Sequence, residues 1–206
     1  AGARFGSSVY LNDGTGTFAE SSTGPLCAAR YPSASPGDID GDGDADLVVA
    51  GGGRLETSVN DGNGNFTCSS FGDTIIFGST ALGDLDGDGD LDLIVTGNSP
   101  TAGADIIQRY TNNGIGSFGG PSSFGTPVAQ GSSSSLGDLD GDRDLDLVVT
   151  GEDIALTRRL DFYQNDGWGG FTGPFAVGVG VSVSATALGD LDNDGDLDLV
   201  VSGVDA

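Results

Sequence analysis

One nine-residue loop, written four times, constrains what this chain of 206 residues can fold into. It reads DIDGDGDAD from Asp38, DLDGDGDLD from Asp84, DLDGDRDLD from Asp138 and DLDNDGDLD from Asp190. Acidic side chains occupy every odd loop position. The first copy holds Asp38, Asp40, Asp42, Asp44 and Asp46, and the second holds Asp84, Asp86, Asp88, Asp90 and Asp92. The third holds Asp138, Asp140, Asp142, Asp144 and Asp146, and the fourth Asp190, Asp192, Asp194, Asp196 and Asp198. Five carboxylates so close together repel one another, so four such loops are expected to offer themselves to a cation.

The cation expected is calcium, about four ions in all. Calcium takes six to eight oxygen ligands in irregular geometry, whereas magnesium prefers few protein ligands and several waters. Zinc and copper call for nitrogen or thiolate, and the chain has no His and only Cys27 and Cys68. Gly43, Gly89 and Gly195 at loop position six let the backbone turn around an ion. Arg143 breaks that pattern, so the third site is expected to be the weakest.

An isolated acidic stretch of this kind is often only a solvated turn, but four near-identical copies argue against that reading. A helical EF-hand calls for Glu at position twelve, where this chain has Val49, Val95, Val149 and Val201. The loops run instead into DLVVAG, DLIVTG, DLVVTG and DLVVSG, short β-branched runs closed by Gly. A second motif alternates with the first: YLNDGTGTF from Tyr10, SVNDGNGNF from Ser58, YTNNGIGSF from Tyr110 and YQNDGWGGF from Tyr163. Asn-Asp-Gly or Asn-Asn-Gly between an apolar strand and Phe is a tight-turn signal, because Asn and Gly tolerate positive φ.

The acidic loops start at residues 38, 84, 138 and 190, which puts them 46, 54 and 52 residues apart. Within one period the pattern predicts strands over Ser79–Leu85, Leu91–Thr96 and Ile106–Asn112, with a fourth beginning at Phe118. No segment holds a helical period, so the chain is expected to be all-β. Four antiparallel strands per repeat of this length predict β-propeller blades, which bury their faces only by stacking radially.

The run Phe77-Gly78, then Gly83-Asp84-Leu85-Asp86-Gly87-Asp88-Gly89-Asp90-Leu91-Asp92-Leu93, resembles the FG-GAP and VCBS repeats, the calcium-loop blades of integrin α-type propellers. The terminal GAP is replaced by Val-Thr-Gly or similar, which brings the chain nearer the VCBS branch. The resemblance implies that loop positions one, three, five and nine bind calcium through side chains, and position seven through its main-chain oxygen.

The expected blades are 25–75, 76–127, 128–176, and 177–206 joined with 1–24. The terminal half-blades either meet within one molecule, pair with neighbouring molecules, or belong to a longer propeller. The chain begins Ala1-Gly2-Ala3 without Met or a recognisable leader, as expected of a processed protein or an excerpt. Cys27 and Cys68 form either a disulfide or two separate buried thiols, and Asn65-Phe66-Thr67 is an N-glycosylation sequon beside a turn. Trp168 is expected to cover a blade edge, with sugar stacking or partner anchoring as the alternative. The serines from Ser132 to Ser135 read as a linking segment open to glycans.

Net charge is -24, but the four loops hold twenty of the 31 acidic residues, so four divalent ions would leave about -16. Seven Arg and no Lys supply no basic patch for nucleic acid, and no apolar stretch is long enough to span a membrane as a helix. Without His or Lys, nucleophile and base pairs cannot be built, and Glu20, Glu56, Glu152 and Asp153 form no convincing catalytic set. The expected function is a non-enzymatic, extracellular or cell-surface structural or adhesion module that contacts other proteins or copies of itself. A calcium-dependent lectin that binds glycans is the alternative, and a non-catalytic domain of a secreted hydrolase comes third.

Overall fold

A computed structural model describes residues 8–20, 33–128 and 130–205. The β-branched runs that follow the acidic loops become its most buried strands, because their neighbours cover both faces. β1 (Tyr10–Asn12) and β2 (Phe18–Glu20) form a hairpin. β3 (Ser33–Gly37), β4 (Asp46–Gly51), β5 (Arg54–Asn60) and β6 (Phe66–Ser70) form one antiparallel sheet in chain order. β7 (Ile76–Gly83), β8 (Asp92–Ser99), β9 (Ala104–Tyr110) and β10 (Ser122–Ser123) form a second sheet of the same order. β11 (Gln130–Gly137), β12 (Asp146–Glu152), β13 (Arg158–Asn165), β14 (Phe171–Gly189) and β15 (Asp198–Val204) form a third. No helix occurs among the described residues, so none could cross a membrane. The architecture is a β-propeller of four-stranded antiparallel blades.

The third sheet has a fifth strand because β14 serves two blades. Its first part pairs with β13, and its last residues, from Ser182 to Gly189, pair with β15 as the inner strand of the next unit. That pair and the β1–β2 hairpin are the two halves of the fourth repeat, and they lie in separate sheets. In the second blade the fourth strand is shorter than the turn motif predicts. Asn112 and Phe118 make one bridge, and Gly119-Gly120-Pro121 then interrupts the ladder before β10, since Pro has no N–H to donate.

Apolar cores lie between blades. Val48, Ala50 and Leu55 of the first blade meet Leu93, Val95, Ile106 and Tyr110 of the second. One residue on, Ile94 and Ile107 point the other way, to Leu147, Val149 and Tyr163 of the third, as the two-residue period of a strand requires. Phe71 and Phe124 cap these cores, each edge-on to a buried tyrosine and stacked on the Phe that follows a turn, Phe118 or Phe171. Gly72 and Gly125 follow them, and a Cβ at either would sit within 3 Å of the tyrosine ring. The Phe-Gly pairs at the blade joint are therefore 71–72 and 124–125, whereas Phe77 is half exposed at positive φ.

Nearer the axis, hydroxyls join the inner strands. Ser35 bonds Thr80 at 2.8 Å, Ser79 bonds Ser134 at 2.9 Å, and Ser135 bonds Thr186 at 2.7 Å. The serines read from sequence as a link thus lie in β11, in the seam between blades. At the rim, Asn112 Nδ2 donates to Ile39 O at 2.8 Å and Asn165 Nδ2 donates to Leu85 O at 3.0 Å, tying each turn to the acidic loop of the preceding blade.

Asn165→Ala removes a buried donor and leaves the Leu85 carbonyl unmet, so it is expected to cost about 2 kcal/mol in urea unfolding. Asn60→Ala removes an exposed bond to Ala45 O and the acceptor of the Gly64 N–H, with no bond to another blade, and is expected to cost less than Asn165→Ala.

Candidate metal centres

The alternating aspartates fold each loop upon itself. Position one uses both oxygens: Asp84 Oδ1 accepts from Gly87 N–H at 2.8 Å and Oδ2 from Gly89 N–H at 3.1 Å, and Asp38, Asp138 and Asp190 repeat the pattern. Position three accepts from the N–H of position five in the first, third and fourth loops, at Asp40, Asp140 and Asp192. Position five accepts from position seven in all four, at Asp42, Asp88, Asp142 and Asp194. These turns gather carboxylate oxygens of Asp38, Asp40 and Asp42, of Asp84, Asp86 and Asp88, and of Asp190, Asp192 and Asp194 within 4.8 Å of one another. In the third loop the gathered set is Asp138, Asp140 and Asp146.

Position nine stands apart. Asp46, Asp92 and Asp146 are wholly buried, and each Oδ1 accepts from the main-chain N–H of a turn asparagine, Asn60, Asn112 or Asn165, at 2.7 to 2.9 Å. Asp46 and Asp146 also accept from the loop's own second residue, as does the partly exposed Asp198. Position seven turns away from the loop. A Cβ on Gly62, Gly114 or Gly167 would collide with the carboxylates of Asp44, Asp90 and Asp144, so those side chains lie against the turn glycines. Asp196 donates its N–H to Asp194, and no turn glycine of the described residues packs against it.

Two oxygens in the second loop test whether a cation fits. Asp86 Oδ1 and Asp92 Oδ2 are buried and meet no hydrogen-bond donor. A buried carboxylate oxygen without a donor is costly, and a cation would satisfy both. All the donors assembled here are oxygens, which suits a hard ion. The same burial raises the Asp92 carboxyl to about 6, against the opposing Asn112 N–H and with a further push from Asp86. Burial likewise raises Asp46 and Asp146.

Loop position six has φ of 94°, 93° and 98° at Gly43, Gly89 and Gly195, and Arg143 is held at 81° in the same place. Position four is also left-handed, with Asn193 taking the place of glycine. The other sequence candidates serve local roles. Glu56 is buried and pairs with Arg54 at 2.6 Å, Glu152 lies 3.9 Å from Arg158, Asp153 accepts N–H bonds from Ala155 and Thr157, and Glu20 accepts from Ser8. Cys68 is disulfide-bonded; the chain's other cysteine, Cys27, lies outside the described residues. Asn65 is exposed, with its amide on Asp61. Trp168 is 81% exposed and so covers no blade edge; its main chain is held, the N–H by Asp166 and the carbonyl by Arg109 of the neighbouring blade.

A propeller whose blades each carry an acidic hairpin loop defines a class of repeat protein built to bind. The model of the FG-GAP-like repeat matches residues 4–49, 38–95 and 84–149, windows that each end just past an acidic loop. The chain belongs to the FG-GAP-like repeat family. Among curated proteins there is no significant match. Among solved structures the fold is similar to an Agrocybe aegerita lectin described as recognising non-reducing terminal N-acetylglucosamine, with a TM-score of 0.56 and 23% identity. That likeness covers 84% of this chain and 46% of the lectin, so the chain spans less than half the lectin's length.

Arg143→Gly removes left-handed strain at a non-glycine residue and is expected to stabilise the protein by about 1 kcal/mol, while tightening divalent-ion binding at the third loop. Urea unfolding and single-loop titrations measure both. A carboxyl raised by burial favours the protonated fold, so neutral Asp92 stabilises the metal-free protein fully below about pH 4 and ceases to do so as the pH passes about 6. In chelator, Asp92→Asn should therefore gain melting temperature relative to wild type between pH 4 and pH 7. In calcium it should lose.

Proposed function

We propose that this chain is a non-enzymatic, extracellular binding module whose blades are stiffened by calcium in the four acidic loops. The observation that carries the reading is the pair of buried, unmet oxygens on Asp86 and Asp92, at the place where loop, following strand and turn meet. Asp84, Asp86, Asp88 and Asp92 would hold the ion by their carboxylates, and Asp90 by its main-chain oxygen; the other three loops are read likewise. Calcium would act on folding rather than chemistry, since an ion that binds only the folded loops stabilises by mass action. The outside of the cell supplies millimolar calcium and the oxidising conditions that suit the bonded Cys68.

Protein partners are favoured by the apolar side chains exposed on the turns of neighbouring blades, Ile115 and Trp168. Glycan binding is the second reading, favoured by the likeness to a lectin and by a cavity of about 340 Å³ between the second and third blades. There Phe77, Ile154 and Leu156 offer apolar surface beside Asn98, Asp105 and Glu152.

Chelation is the test. Removing calcium should lower the melting temperature by about 10 °C or more, with about four ions returned on titration. An unchanged melt, with metal removal confirmed by elemental analysis, overturns the reading. Saturable, calcium-dependent binding on a glycan array would put the lectin reading first.

A further inference from the structure

The second residue of an acidic loop faces two ways. Ile39 stands between Asp38 and Asp40, two of the carboxylates gathered in the first loop. Its N–H donates to Asp46 Oδ2 of the same loop at 3.0 Å, while its carbonyl meets the second blade. There it accepts from Asn112 Nδ2 at 2.8 Å and from Gly116 N–H at 2.9 Å. The second turn lies directly on the first loop: a Cβ on Gly116 would stand 3.4 Å from the Asp40 Cβ, and one on Gly41 would stand 3.4 Å from the Gly114 carbonyl oxygen. Leu85 repeats the arrangement between Asp84 and Asp86, its carbonyl accepting from Asn165 Nδ2 of the third turn at 3.0 Å. Arg109 of the second blade adds another tie to that turn, donating to the Trp168 carbonyl at 3.3 Å.

Both asparagines also hold the loop of their own blade. Asn112 N–H donates to Asp92 Oδ1 at 2.8 Å, and Asn165 N–H donates to Asp146 Oδ1 at 2.9 Å. One buried residue therefore meets two acidic loops, with its main chain on one and its amide on the other. The first turn differs, since Asn60 gives its amide to Ala45 O of its own loop. At the second loop the junction carries a further sign of a ligand: Asp92 is wholly buried and its Oδ2 meets no donor, as is true of Asp86 Oδ1. An ion that satisfies those two oxygens fixes the carboxylate that holds Asn112. Asn112 in turn fixes the peptide between two aspartates of the first loop.

We propose that the first three loops bind calcium cooperatively, each loaded loop raising the affinity of its neighbours, with Asn112 and Asn165 as the positioning residues that carry the coupling. Cooperative filling rests on the calcium reading and adds to it a communication between sites. The two states are an empty loop, in which the charges of Asp86 and Asp92 repel across the junction, and a loaded one, in which an ion pins them. Pinning the junction orders the turn, and an ordered turn spares the preceding loop part of the entropy that binding would cost it. Linkage makes the effect reciprocal, so whatever the second loop lends to the first, the first lends to the second. The contacts that carry it are contiguous, from Asp92 through Asn112 to Ile39 and from Asp146 through Asn165 to Leu85.

Calcium titrations read one loop at a time separate coupling from a merely structural tie. The N–H groups of Gly43, Gly89 and Arg143 each donate to the first aspartate of their loop, so their amide resonances report the three sites. Asp88 is exposed, and Asp88→Asn removes a carboxylate from the second loop while keeping the acceptor for Asp90 N–H. With the second loop empty, the first and third should bind calcium about fivefold or more weakly than in wild type. Charge alone predicts the opposite, because an empty acidic loop attracts a neighbouring cation more than a loaded one does. In an Asn112→Ala background, Asp88→Asn should no longer change the first loop and should still weaken the third. An Asn165→Ala background reverses that pattern, an Asn60→Ala background alters neither effect, and either of the first two decides the point if the other fails to fold. In chelator, Asn112→Ala should speed amide exchange at Gly41 and Gly43 by about tenfold and leave Gly141 unchanged. Unchanged or tighter binding at the first and third loops, in Asp88→Asn protein whose second loop is shown empty, overturns the proposal, and so does a loss that survives both alanine backgrounds. Absence of titration at all three loops overturns the calcium reading and the coupling together, whereas independent titration overturns the coupling alone.

Discussion

The structure depends on a buried carboxylate that holds three pieces of chain at once. Asp46, Asp92 and Asp146 begin the second strand of their blades, close the acidic hairpin behind them and accept the N–H of the turn between the third and fourth strands. Charge is costly in such a place, which is why Asp92 is raised to about 6 and why one of its oxygens is left waiting. Hydrogen bonds from the backbone offset part of that cost. A cation bound there would offset the rest and couple ion and fold through one residue per blade.

From this junction the blades gain their stacking order. The turn held by the carboxylate projects an asparagine whose amide reaches the preceding loop, and the inner strand ahead of the loop ends in a glycine that admits two leucines from the following blade. Gly83, for example, is filled by Leu136 and Leu145. Each blade thus offers a different surface forward and backward, and the cores formed between them are made half by each neighbour.

Much of this was legible in the sequence because the signals are local. Alternating aspartates write their own Asx turns, Asn-Asp-Gly writes a tight turn, and a β-branched run writes a strand. The all-β class and the blade period follow from those three. What could not be read is what depends on distant partners. Asn112 and Asn165 look like ordinary turn residues until their acceptors are seen 73 and 80 positions away. The recurring Ser-Ser-Phe-Gly at 69–72 and 122–125 was a repeat in plain view, but nothing local says that its Phe caps a tyrosine in the next blade. Position seven looks the same as the other odd positions and is set apart by the family resemblance alone; the packing of Asp44, Asp90 and Asp144 on turn glycines gives the physical reason. The serines of β11 read as a linker because a hydroxyl seam has the composition of one.

That seam has a consequence for the angle between blades. Many of its bonds run between hydroxyls, as in Ser33 with Thr80 and Ser133 with Thr186, where either oxygen can be the donor, beside main-chain N–H groups that donate to the same serines. A hydroxyl rotates to follow a partner, so the pairing survives a change in the angle between two blades. An apolar axis packed as tightly as the outer cores would fix that angle. The inner strands therefore constrain the angle between two blades less tightly than the apolar cores outside them.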